Sequence, residues 1–83
     1  MITIKRKNII ALIENECPVK FDKEIAQIVL FSESNKSFGT IRFEFTDNSE
    51  SEISLAFWLD IQEKTSTLTI KFPLATSCLD ITL

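Results

Sequence analysis

A chain of 83 residues, 45% apolar and 25% charged, makes one domain, residues 1–83, with enough apolar mass for a single modest core. It has no histidine, which excludes the serine and cysteine triads and the usual zinc sites, and one glycine, which excludes glycine-rich phosphate cradles. The net charge of −3 argues against direct nucleic-acid binding, which ordinarily rests on a basic excess, and favours steering toward a basic protein surface.

Ile2–Lys5 reads as a short strand, and Lys5-Arg6-Lys7 behind it as a solvated tip. Between Asn8 and Glu16, the spacing of Ile9, Leu12 and Ile13 fits one face of a helix, while the β-branched content fits a strand. Cys17-Pro18 ends either one, because the residue before proline is pushed out of the helical region. Val19–Phe21 reads as extended. Ile25–Phe31 is apolar on both parities and rich in Ile, Val and Phe; it predicts a strand buried on both faces in preference to a helix capped by Asp22.

From Phe38 to Phe72 apolar and polar residues alternate. Ile41, Phe43 and Phe45, then Ile53, Leu55, Phe57, Leu59 and Ile61, then Leu68, Ile70 and Phe72 share one face; Arg42, Glu44, Ser54, Asp60, Thr69 and Lys71 take the other. The pattern predicts a three-stranded antiparallel meander over residues 38–72. Matching core faces requires an odd first loop and an even second one. Asn48-Ser49-Glu50 then pairs Phe43 with Leu55 and Ile41 with Phe57, and Glu63-Lys64-Thr65-Ser66 pairs Leu59 with Ile70 and Phe57 with Phe72. A single glycine, Gly39, means the turns rest on Asn, Asp and Ser. Beyond Pro73 a last strand, Cys78–Leu83, ends the chain. Seven short strands predict a mainly β fold, a small antiparallel sandwich or barrel, with a short helix in the N-terminal half as an option and an α+β packing as the alternative.

Little chemistry is offered. The carboxylates fall in turns and on outer faces, where solvation is the ordinary state. Asp47, Glu50 and Glu52 cluster at one hairpin, but a calcium loop wants more oxygens and a glycine, so the cluster reads as a solvated tip or a contact for a basic partner. No cofactor, metal or catalytic activity is expected. The apolar residues of Met1–Ile13 are interrupted by Lys5, Arg6, Lys7 and Asn8, and the run Ile25–Phe31 is far short of a bilayer, so a cytoplasmic location is expected and Cys17 and Cys78 read as free thiols. Cys78 alternates away from Leu79, Ile81 and Leu83, and a covering by a neighbouring segment is expected for so apolar a residue.

Trp58 stands out. By parity it leaves the core face, and the expected register sets it between Thr40 and Lys71, with Phe38 and Arg42 on the same face. Either a second layer from the N-terminal half covers this face, or Trp58, Phe38, Arg42 and Lys71 form an open patch of the residue types that dominate protein-binding surfaces, with Lys71 over the indole. The functional expectation is a small non-enzymatic protein-binding module: an inhibitor, an immunity-type partner or a phage or bacterial accessory protein. The alternative is a structural subunit that self-assembles through its sheet edges, because Ile81-Thr82-Leu83 has no charge to guard it.

Overall fold

The computed structural model describes residues 1–32, 38–61 and 65–83. Six strands form one antiparallel sheet in chain order: β1 (Ile2–Ile4), β2 (Ile25–Ser32), β3 (Phe38–Phe45), β4 (Glu50–Ile61), β5 (Ser66–Lys71) and β6 (Leu79–Thr82). The sheet curls into a half-barrel. One helix, α1 (Lys7–Glu16), packs against both β2 and β6 and so bridges the hollow of the curl. The meander and the mainly β class are as the alternation predicts. The second layer is a helix, not a second sheet.

The ambiguous N-terminal segment is therefore helical. Ile9, Ile10 and Ile13 are its buried residues, and Cys17 follows one turn on; Leu12, expected inside, points outward. The Arg6 carbonyl accepts the first helical bonds from the amides of Ile9 and Ile10. Cys17 leaves the helical region at ψ 131, as its position before Pro18 demands. Lys20 Nζ reaches back to donate to the carbonyls of Glu14 and Asn15, two of the acceptors a helix end leaves open.

Ile25–Ser32 is a strand, and its burial does extend to both faces: Ile28 and Leu30 point into the core while Val29 is buried on the outer face. A bulge between Ile25 and Gln27 lets Ile25 face the same side as Ile28 although they are three positions apart. Ile41, Phe43 and Phe45 of β3, Leu55 and Phe57 of β4, Leu68 and Ile70 of β5, Phe72 and Ile81 complete the core.

Parity survives in both hairpins, but the register differs from expectation. Ile41 pairs with Ile53 and Phe43 with Ser51; on the other side Phe57 pairs with Ile70 and Leu59 with Leu68. The first loop is odd, as required, yet it is Thr46-Asp47-Asn48. Asn48 takes a φ of 70°, the role glycine usually fills, and Asp47 Oδ1 accepts the Ser49 amide at 2.9 Å. Local turn chemistry at Asp47-Asn48 thus fixes the register, against the row Ile41–Phe57–Phe72 that side-chain pairing alone favours. In the expected second loop Glu63 and Lys64 lie outside the described residues, and Ser66 belongs to β5. One result is that β4 runs past the start of β3, where Phe38 pairs with Ala56. Leu59 and Ile61, expected in the core, sit on this overhang and are exposed.

Candidate functional site

The outer, convex face of the sheet carries all four residues of the expected patch, in two groups. Phe38 and Lys71 flank Ala56 from opposite sides, on β3 and β5. Trp58, two residues along β4 on the same face, is diagonal to both and lies directly opposite Thr69. Lys71 is therefore not across from the indole, and Thr40 pairs with Ser54 instead. Phe38 is 64% exposed and Trp58 45%, and no second layer among the described residues covers them. Thr69 is itself held: its Oγ1 donates to Asp80 Oδ1 at 2.8 Å.

Arg42 belongs to the second group, four residues farther along β3. It stands opposite Glu52, to which its Nε and Nη2 each lie 2.8 Å from Oε1, with Glu50 Oε2 at 3.7 Å. The hydrogen bond to Glu52 comes first among the interactions that hold the guanidinium pKa further above its ordinary value. Its planar head lies 4.5 Å from the Phe31 ring centre, so the cation stack of this face is Arg42 on Phe31.

The acidic cluster is neither a single loop nor free. Glu50 and Glu52 are strand residues of β4 paired to Arg42; only Asp47 is in the turn. Its carboxylate accepts from the hydroxyl and amide of Ser49 and pairs with Lys23 Nζ at 3.1 Å, which lowers its pKa to about 2. Each carboxylate named as a contact for a basic partner is thus matched within the chain. Among the described residues no group of three or more His, Cys, Asp or Glu is placed to hold a metal ion.

Alternation alone could not show the groove beside the Phe38–Lys71 pair. It has a volume of about 540 Å³ and runs between Phe31 and Phe38 on one side and Lys71, Phe72, Pro73 and Leu74 on the other, over Ala56. Leu74 is the residue the sequence reading missed. It is fully exposed at a φ of 65°, in a turn closed by the Ala75 amide donating to the Phe72 carbonyl at 3.1 Å. Pro73 at the second position and a positive φ at the third are the type II arrangement, in which glycine is the usual third residue. Pro73-Leu74 was the available signal: a proline-initiated turn with no glycine to complete it.

The two thiols are unpaired and unlike. Cys17 is buried, which raises its pKa; Cys78 is exposed just ahead of β6, not covered as expected. No described helix is long and apolar enough to cross a membrane.

Comparison with known protein families, curated proteins and solved structures finds no match.

Proposed function

We propose that this chain is a protein-binding module without chemistry of its own, acting by occupying a partner's surface as an inhibitor or immunity-type protein does, in a compartment that keeps its thiols reduced. The observation that carries the reading is the exposure of Phe38 and Leu74 along one groove of the convex face, with Trp58 exposed on the same face, diagonal to Phe38 and Lys71. Large apolar residues gathered on one face of a small protein mark contact surfaces, and tryptophan is among the residues most often found to dominate them. Arg42, tied to Glu52 and stacked on Phe31, supplies a rigid charged rim to that face.

The test is isolation of the native protein with its partner, followed by titration of the purified pair. Trp58→Ala and Phe38→Ala should each weaken binding by about 2 kcal/mol while leaving the fold in place. Unchanged affinity in both variants would remove the convex face from consideration.

The position of β6 at one end of the sheet favours a second reading, self-assembly through that edge. Sedimentation across a concentration series separates the two: a monomer at all concentrations rules out edge assembly.

A further inference from the structure

We infer that the groove receives an acidic, apolar segment of the partner protein, its carboxylate meeting Lys71 and its apolar side chains lying between Phe38 and Leu74. This rests on the protein-binding reading above and names the chemistry of the contact.

Two independent observations carry it. The first is charge. Of the described residues that line the groove, Lys71 alone is ionised, and none is a carboxylate. The acids of the convex face, Glu44, Glu50, Glu52, Asp60 and Asp80, stand outside the groove's lining; Glu50 and Glu52 pair with Arg42, and Asp80 accepts from the Thr69 hydroxyl. The chain as a whole carries −3, but the charge that the described residues present at this groove is positive. Long-range steering and local fit therefore have opposite signs, and in a contact that excludes water the local sign decides which side chain is accepted.

The second is the state of Leu74. A leucine in the left-handed region is strained, and this one is fully exposed, so folding gains nothing from its side chain. Glycine would relieve the backbone at the same φ. Keeping a branched apolar residue there makes sense as one wall of a binding site. The volume of about 540 Å³ falls within the range of sites that enclose a ligand's side chains.

The experiment selects short random peptides displayed on phage against the immobilised full-length chain. Selected sequences should place Asp or Glu next to Leu, Ile, Phe or Trp. Synthetic versions should lose about tenfold or more in affinity with Lys71→Glu and with Leu74→Gly, while the melting temperature of Leu74→Gly stays the same or rises. A repeat selection on Lys71→Glu should turn up basic peptides in place of acidic ones. Selection of basic or uncharged peptides by the native chain, still weakened by Leu74→Gly, would overturn the acidic assignment and leave the protein-binding face standing. Peptides indifferent to Leu74→Gly, Lys71→Glu and Trp58→Ala, or no selection at all, would overturn both. A dimer dispersed by Leu74→Gly would make a second copy the occupant and overturn the inference in favour of self-association.

Discussion

Phe57 stands over Gly39 so closely that a β-carbon built on the glycine would lie 2.6 Å from Phe57 Cε1, and only 1.9 Å from the carbonyl oxygen of Phe31. The glycine of β3 therefore serves close approach between β2, β3 and the core ring of β4, with no turn involved. Gly39→Ala should destabilise the protein by about 3 kcal/mol or more in urea denaturation. Shrinking the ring in Phe57→Leu should not rescue it, because the nearer obstacle is main chain. Rescue would mean that β2 can move away from β3 at little cost. Phe57→Ala alone should cost about 3–5 kcal/mol, since the ring is buried in the core.

Trp58 is the single tryptophan, so the emission of the protein reports its surroundings alone. At 45% exposure it should emit to the red and be quenched by iodide and acrylamide. Trp58→Ala should change stability by less than about 1 kcal/mol, as exposed substitutions do. A blue, protected emission with a large stability loss would show the indole to be buried.

Asp47 gives the first hairpin a pH dependence whose sign is fixed. Hydrogen bonds from Ser49 and the pairing with Lys23 lower its pKa from 3.8 to about 2 in the folded chain. A carboxyl depressed on folding contributes stability that is fully present above its unfolded pKa and is lost as pH falls through the folded value. The contribution should therefore fade between about pH 4 and about pH 2. In Asp47→Asn, whose side chain can still accept the Ser49 amide, that part of the acid limb should be absent. Melting temperatures of the two proteins should converge toward the acid end, and parallel curves would show that Asp47 is not coupled to folding.

The two thiols should separate by rate. With a thiol-specific chromophore, Cys78 should react at once in the native protein. Cys17, buried and with its thiolate disfavoured, should react only as the chain unfolds. Two fast thiols would mean that the helix C-terminus opens readily.

The fold was legible where burial dictates the pattern, and less so where local chemistry does. Period-two alternation placed β3, β4 and β5 and their core faces, because those strands have one wet and one dry side. Residues 8–16 were ambiguous because three β-branched isoleucines sit on a helical face that tertiary packing stabilises. The first loop was misplaced by two residues, and the partners on β4 by four, because Asp47 and Asn48 stand in for glycine, and an αL asparagine leaves no mark in a hydropathy pattern. At the site, the convex placement of Phe38, Trp58 and Lys71 followed from parity. The groove did not, since it depends on a turn at Pro73-Leu74 that bends the chain back over the sheet end.

The chain order of the strands has a kinetic consequence. Each strand neighbours its predecessor, so β2 through β6 can zip together by successive hairpins, each closing a short loop at little entropic cost. The contact of α1 with β6 is different: it joins the two ends of the chain, residues 7–16 to residues 79–82, and shuts the hollow of the curl. Its closure belongs late on the path to the native state. Substitutions at that seam, Ile81→Ala or Ile13→Ala, should then accelerate unfolding while leaving the refolding rate almost unchanged, whereas Phe43→Leu in the meander should slow refolding.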